Sequence, residues 1–496
     1  MKILFVVTDV FFGEPIGLLQ LSACLKENGH ETKLLVLKKH SAQKTLDDFK
    51  PDIIAYSVMS SEAPLIKAED VAIKQWADGQ DKKVLRVLGG PHATFFPEIL
   101  DEMRLDAICI GDGENALAEV AARHQRGESL AGIVNMLTPG EKFDEVKKEL
   151  VSEEQLDKLP WIDRDIFYEA MPLYRALGFR GFMVGRGCPY GCTYCHNHAK
   201  KEIFKDCGKM VRRRSVDNVI EEIKHVVKKY GPVKLIKISD DTFSHVIDQW
   251  LLEFLDRYKK EIGLPFYCLM RSNTLTEQMA KLLHEAGCVA ISMAVESGDE
   301  KIRNELLKRN LPDKLVKASF SYARKYHLNT YGNTLLALPG TTFEDDFRSF
   351  LFAKHLKLTA PTFGVFNPYP RLELTNYAIK HGYLDPNYGS SNMFGYKSPM
   401  NCFTEKEKNM QLRLAYLGPI FADLPDLFIP LLKVLVRVGA LPVYKALGYT
   451  YHIYKVAFFI FPGSVPLNPF KSLAIFLQAM KYYTPGARSV KKAQTG

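Results

Sequence analysis

Residues 185–198 read GRGCPYGCTYCHNH, and within them Cys188, Cys192 and Cys195 stand in C-x3-C-x2-C spacing. Three thiols inside eight residues, on a segment opened by Gly187, Pro189 and Gly191, can converge on one metal centre without long-range folding. Thiolates favour iron–sulfur clusters or zinc. On a four-iron cubane, three cysteines leave one iron with no protein ligand, and an open iron can bind a substrate. A structural Cys3His zinc site, with His196 or His198 as fourth ligand, is compatible with the same spacing.

On either side of this segment, apolar strand patterns alternate with helical ones. Strands are expected at Phe182–Gly185, Leu235–Ser239, Phe266–Met270, Val289–Val295, Tyr331–Leu336 and Thr362–Asn367, with 3.6-type helical spacing between them, as at Asn218–Lys229, Thr276–Ala286 and Glu344–His355. Six βα units in a row predict a curved parallel sheet or partial barrel over 181–380. Each strand runs into a polar or glycine-bearing motif: Arg186-Gly187-Cys188, Asp240-Asp241-Thr242-Phe243, Arg271-Ser272-Asn273, Glu296-Ser297-Gly298, Pro339-Gly340 and Pro368-Tyr369-Pro370. In barrels of βα units the C-terminal rim carries the chemistry, so six such motifs point to one site.

Residues 1–127 repeat the alternation with strands at Ile3–Val7, Thr32–Leu37, Ile53–Ser57, Val84–Leu88 and Ala107–Ile110. Five β units joined by helices predict a doubly wound, flavodoxin-like (Rossmann-like) sheet. Ligands of such sheets sit beyond the C-terminal strand ends. There the chain places Thr8-Asp9, Ser57 to Ser60, Gly89-Gly90-Pro91-His92 and Gly111 to Glu114, small residues that let a bulky ligand approach the backbone. A flavodoxin-like fold whose glycines merely turn the chain, binding nothing, fits these residues too. Residues 128–180 lose the alternation and read as a linker with some local structure.

The strings GEPIGLLQLSACLKENGHE (13–31), VLGGPHATFFPE (87–98) and ICIGDGE (108–114) resemble the cobalamin-binding domain that precedes many radical S-adenosylmethionine (SAM) enzymes. The C-x3-C-x2-C segment, with Tyr194 just before its last cysteine, resembles the radical SAM signature itself. DDTF (240–243), MAVESGDE (293–300) and LALPGTT (336–342) resemble the cobalamin-dependent branch, which includes anaerobic magnesium-protoporphyrin ester cyclase-like and hopanoid methylase-like proteins. The chain departs from that pattern at Ala337 and Thr341, where G-L-P-G-E-T is usual, and at Arg371-Leu372-Glu373, where P-G-T-E is usual. It departs again after the first strand: Asp9-Val10-Phe11-Phe12-Gly13 replaces D-x-H-x-x-G, placing Phe where a lower-ligand histidine would stand.

The resemblance implies a [4Fe-4S] cluster on Cys188, Cys192 and Cys195, SAM held by Asp240, Asp241, Arg271, Glu296 and Ser297, and cobalamin, without a histidine lower ligand, over Ser57, Gly89, Gly90, Pro91 and His92. Reductive cleavage of SAM in this family yields a 5′-deoxyadenosyl radical, a chemistry carried by the cofactor and positioned by the protein. Methylation of an unactivated carbon is the activity expected. Oxidative cyclisation or rearrangement without methyl transfer, or a non-catalytic cobalamin-binding scaffold at a membrane, are the alternatives. A flavodoxin or ferredoxin is the expected reductant. Outside the resemblance, Asp240 and Asp241 could cap the next helix, Arg271 could pair with Glu296, and Ser297-Gly298 could be a turn.

Charge separates the tail from the rest. The chain carries 66 Lys+Arg against 57 Asp+Glu, yet from Leu427 to Gly496 there are nine bases and no acid, so residues 1–426 are neutral (57 against 57). A uniformly basic nucleic-acid binder is excluded on that balance. Residues 381–496 form an apolar, basic, mainly helical region. Lys433, Arg437 and Lys445, with Pro430 and Pro442, make a membrane-spanning helix within 427–447 unfavourable. The tail is expected to lie on a membrane surface, where a lipid- or isoprenoid-like substrate would be at hand, or to pack on the barrel and roof its active site. Met1-Lys2 leads into only five apolar residues before Thr8-Asp9, too few for a secretory segment, so the chain is expected in the cytoplasm, at most peripheral at the inner face of the membrane. Nine cysteines in such a chain read as reduced thiols or metal ligands rather than a disulfide framework.

Overall fold

The computed structural model describes residues 1–10, 13–389, 397–466 and 468–483. Phe11, at the lower-ligand position, and the bases Arg488, Lys491 and Lys492 lie outside them. The chain divides into two compact units, one built from residues 1–176 and 204–210, the other from 177–203 and 211–483.

In the first unit, strands β1 (Lys2–Val7), β2 (Glu31–Val36), β3 (Ile53–Ser57), β4 (Leu85–Gly89), β5 (Ala107–Cys109) and β6 (Met136–Leu137) form one sheet in the order β2-β1-β3-β4-β5-β6. The first five are mutually parallel and agree with the expected strands to within a residue or so. Their Val/Ile/Leu runs are buried because crossover helices cover both faces. The stretch expected as a linker behaves differently: β6 adds antiparallel to β5, and Asn135 Nδ2 donates to Asp112 O (2.9 Å) and Glu149 O (2.8 Å). Buried Ile133, Val146, Leu150 and Leu156 anchor this part at irregular spacing, which periodicity does not reveal.

The second unit contains β7 (Phe179–Phe182), β8 (Gly185–Arg186), β9 (Arg212–Arg213), β10 (Leu235–Ile238), β11 (Phe266–Leu269), β12 (Cys288–Ser292), β13 (Asn329–Leu336) and β14 (Ala360–Val365). Six of these make an all-parallel sheet in the order β14-β13-β12-β11-β10-β7, the expected partial (β/α)6 barrel, while β8 and β9 pair as a small ribbon. The first barrel strand begins three residues before its expected start. Arg180, a charge that disguises the strand, is fully buried and donates to the carbonyls of Leu177 (2.5 Å), Phe179 (2.7 Å) and Tyr230 (2.9 Å).

The C-terminal region is helical at Glu405–Asp423, Ile429–Leu435, Leu441–Lys455 and Pro469–Tyr483. Lys354 Nζ, buried, caps the C-terminus of the first of these by donating to Phe421 O (3.2 Å), Ala422 O (3.3 Å) and Leu424 O. The segment after the third helix meets the barrel at the N-terminal ends of its strands: Phe461 stacks on Phe179 (centroids 5.3 Å apart) and edges Tyr267 (5.0 Å), and Gly178 N donates to Ser464 O (2.8 Å). That segment therefore closes the end of the barrel opposite the cysteine loop and does not roof the rim. No helix among the described residues is long and apolar enough to cross a membrane.

Candidate functional site

Strand β7 leads into the cysteine loop, and Asp240 at the end of β10 fixes that lead-in. Its Oδ1 accepts from Val184 N (2.9 Å), and burial pushes its carboxyl up to about 8. Gly185 is needed here, since a Cβ would stand 2.8 Å from Arg212 O and 3.3 Å from Asp240 Oδ2. The chain then turns at Gly187 (φ +88°), a conformation that suits glycine. Thr193 fastens the far side of the loop, its N and Oγ1 donating to Leu307 O (3.3 Å) and Leu306 O (2.8 Å) and its carbonyl accepting from Leu374 N (3.0 Å).

Three residues of this loop meet the ends of three successive strands. Cys188 Sγ lies 3.9 Å from Thr242 Oγ1, after β10. Tyr190 accepts at Oη from Asn273 Nδ2 (2.9 Å), and its ring lies under the Arg271 guanidinium (3.9 Å to the centroid), both after β11. Tyr194 Oη donates to Glu296 Oε1 (2.8 Å), after β12. The rim motifs and the cysteines thus form one site.

Two buried guanidiniums stand behind it. Arg309 Nη1 donates to Tyr194 Oη and to Glu296 Oε1 (3.4 Å), and its Nη2 donates to Ala294 O (3.1 Å). Arg271 donates to Asn273 Oδ1 (2.6 Å) and to the carbonyl of Arg309. Burial raises the Glu296 carboxyl above its ordinary value although Arg309 opposes the shift, and burial, with Arg309 adding to it, lowers Arg271. Glu296 sits at φ +64° and bridges to Thr334, a strained non-glycine backbone fixed where the sheet meets the site.

The sequence-predicted residues therefore take distinct positions. Arg271 lies over Tyr190 and Glu296 accepts from Tyr194, and the cation paired with Glu296 is Arg309, not Arg271. Asp241 is exposed, and Asp240 is bound to backbone. Ser297 Oγ accepts from Asp299 N (3.2 Å) and its carbonyl from Arg303 Nη1 (2.8 Å), which makes it part of the turn after β12. Arg309, absent from the expected set, lies between Lys308 (φ +51°) and Asn310 (φ +50°) in a loop with no motif to mark it.

The donor set fits an iron–sulfur cluster and a polar ligand. None of the three cysteines is in a disulfide, and burial pushes the Cys195 thiol up to about 11. Arg271 Nε, Ser272 Oγ and Thr334 Oγ1 are buried with no partner, available to a molecule seated on the rim. Of the two histidines of the zinc alternative, His198 Nε2 lies 3.2 Å from Glu373 Oε2 and His196 is the residue next to Cys195.

In the first unit, Ser57 and Gly89 are register partners at the ends of β3 and β4. Val58 N donates to Gly89 O (3.0 Å) and His92 N to Val58 O (3.0 Å), so Ser57, Gly89, Gly90, Pro91 and His92 come together as expected. Gly90 has φ +93°, and a Cβ there would lie 2.9 Å from Val58 O. His92 Nδ1 lies 3.3 Å from Ser60 Oγ and its ring stacks on Phe96 at 4.8 Å. The glycine-lined shelf, beside the buried and unpartnered Ser61 Oγ, suits a large flat ligand.

Residues 3–121 match the B12 binding domain family and residues 182–351 the radical SAM superfamily. An uncharacterized methyltransferase of Pyrococcus horikoshii is 29% identical over 421 residues, 82% of this chain and 87% of that protein. Cytidylyl-2-hydroxyethylphosphonate methyltransferase of Streptomyces wedmorensis is 24% identical over 435 residues, covering 75% of this chain and 79% of its own. The structure of the radical SAM methyltransferase TsrM from Kitasatospora setae, with cobalamin and a [4Fe-4S] cluster bound, superposes with a TM-score of 0.63 at 16% identity over 92% of this chain and 89% of that one.

Proposed function

We propose that this chain, which carries a B12 binding domain followed by a radical SAM domain, transfers a methyl group from SAM, by way of cobalamin, to a carbon atom of a small-molecule substrate. The observation that carries the reading is the meeting of Cys188, Tyr190 and Tyr194 with the ends of β10, β11 and β12. When bound, the cluster with SAM supplies one-electron hydrogen abstraction and cobalamin supplies a methyl carrier. Cys188, Cys192 and Cys195 would hold the cluster.

Around it the chain's own groups divide into contact and support. Arg271, through its unpartnered Nε, and Ser272 and Thr334, through their unpartnered hydroxyls, are assigned to bind SAM or substrate. Glu296 is assigned to the same pocket. Arg309, Asp240 and Ser297 are positioning residues: the first holds Glu296 and Tyr194, the second the entry to the cysteine loop, the third the turn after Glu296. Asp241, exposed beside the loop, remains a candidate SAM contact. In the first domain, Gly89, Gly90 and their neighbours would seat cobalamin, and Phe11 at the lower-ligand position supports a cobalt with no histidine below it. A flavodoxin or ferredoxin is proposed as reductant because the cluster needs a low-potential electron.

The lipid- or isoprenoid-like substrate expected from the apolar tail draws no support from the relatives, one of which is named for a nucleotide-linked phosphonate. Extracts of cells carrying the intact protein and Cys192→Ala test the reaction class. A product one methyl heavier, present only with the intact protein and formed alongside S-adenosylhomocysteine and 5′-deoxyadenosine, is expected. A product lacking two hydrogens, with no methyl gained, would overturn methyl transfer in favour of oxidative cyclisation.

A further inference from the structure

We propose that the surface formed by residues 427–466 and 468–477 docks on an anionic lipid bilayer. Among the described residues, 11 of the exposed large apolar side chains lie between Leu427 and Leu477, against six in everything before them. They fall at helical spacing, on the outside rather than the inside of their helices. Leu427, Leu431, Val434 and Val438 step by four, three and four residues around the helix Ile429–Leu435 and its flanks. Val443 and Leu447 continue the pattern on Leu441–Lys455, and Phe470, 81% exposed, opens it again on Pro469–Tyr483.

Monomeric soluble proteins seldom leave successive apolar stripes in water. The charge that accompanies these stripes selects the occupant. No acid follows Asp426, and Lys433, Arg437 and Lys471 are exposed among the apolar residues. Apolar side chains framed by bases and free of acids complement an interface that is greasy below and anionic above. A second copy of the same basic surface would bring like charges together. No helix among the described residues is long and apolar enough to span a bilayer, so the contact proposed is a peripheral one. The inverse face of the same helices, with buried Leu432, Val436, Gly448 and Tyr449, packs on the helix Glu405–Asp423: Tyr449 edges Tyr416 (centroids 5.4 Å apart) and Val436 O accepts from Arg413 Nη1 (3.1 Å).

The test is co-sedimentation of the full chain with vesicles of phosphatidylcholine alone and of phosphatidylcholine mixed with phosphatidylglycerol. The wild type is expected to pellet with the anionic vesicles, to do so less with added salt, and to bind neutral vesicles weakly. The triple variant Phe470→Asp, Leu473→Asp, Leu477→Asp is expected to lose about tenfold or more of that binding at unchanged thermal stability. If that variant does not fold, Val443→Asp with Leu447→Asp serves in its place. Wild-type protein that stays in the supernatant with both vesicle types overturns the proposal, as does binding indifferent to anionic lipid. So does a concentration-dependent dimer that the triple variant abolishes, which would make a second copy the occupant.

Discussion

Tyr194 Oη donates to Glu296 Oε1 at 2.8 Å, joining the residue before the last cluster cysteine to the end of a strand 102 residues away in sequence. Arg309 completes the pair as a buried cation, and removing it strands a buried carboxylate. Arg309→Met is therefore expected to destabilise the apo protein by roughly 3 kcal/mol. Adding Glu296→Gln should restore part of the loss, because the uncompensated charge is gone. Urea unfolding of the single and double variants measures both; equal losses would show that Arg309 acts through packing alone.

Asp346 gives the pH dependence. Its Oδ1 accepts from Ala337 N (2.8 Å) and its Oδ2 from Gln411 Nε2 (2.8 Å), and burial raises its carboxyl from the ordinary 3.8 to about 7. The folded chain holds this proton more tightly than the unfolded one. The stabilisation is thus complete below about pH 4 and is lost as pH rises through about 7. Asp346→Asn keeps an acceptor for Ala337 and loses the one for Gln411 Nε2, but a turn of the Gln411 amide by 180° lets the new Nδ2 donate to Gln411 Oε1, which is buried with no partner. The variant is expected to exceed wild type by about 2 kcal/mol at pH 8 and by much less at pH 5, read from urea midpoints at the two pH values. A difference independent of pH would remove Asp346 as the titrating group.

Much of this architecture can be read from the residues alone, and the exceptions share a cause. Most strands of the first sheet announce themselves as short Val/Ile/Leu runs, as parallel strands covered on both sides do, whereas β13 (Asn329–Leu336) alternates buried and half-buried residues and is carried by Thr, Tyr and Asn as much as by Leu. Arg180 hides the start of β7, since a fully buried guanidinium satisfied by three carbonyls looks, in sequence, like a solvated charge. The cysteines carry their chemistry in their spacing, whereas Arg309 acquires its role only when the 308–310 loop folds back against Tyr194. Asp240 and Ser297 are visible as rim residues, but which of their neighbours claims their oxygens is decided by packing. Ala337 shows the reverse: standing where the family has glycine, it adopts φ +59°, the conformation a glycine would favour.

The cobalamin shelf is tested at Gly90. With φ +93° and only 2.9 Å from a Cβ to Val58 O, Gly90→Ala is expected to cost about 2 kcal/mol or more and to lower the cobalamin retained after purification. Absorbance of bound cobalamin against protein concentration measures the second effect. Undiminished cobalamin in a folded variant would separate this turn from cofactor binding.

Lys354 ties the C-terminal helix to the barrel through the carbonyls of Phe421, Ala422 and Leu424. Lys354→Met retains the apolar stem but orphans these acceptors, and a loss of roughly 1–3 kcal/mol is expected. Thermal unfolding with and without the substitution reads it. An unchanged midpoint would mean that water replaces the ammonium at no cost.

The most direct measurement is the iron, acid-labile sulfide and zinc content of anaerobically purified protein, compared with the variant in which Cys188, Cys192 and Cys195 are all alanine. Iron and sulfide in equal amounts, about four of each per chain, present in the wild type and absent from the variant, are expected for a cubane on three thiolates. One zinc per chain with no sulfide would contradict the cluster and, with it, the reaction assigned to this enzyme.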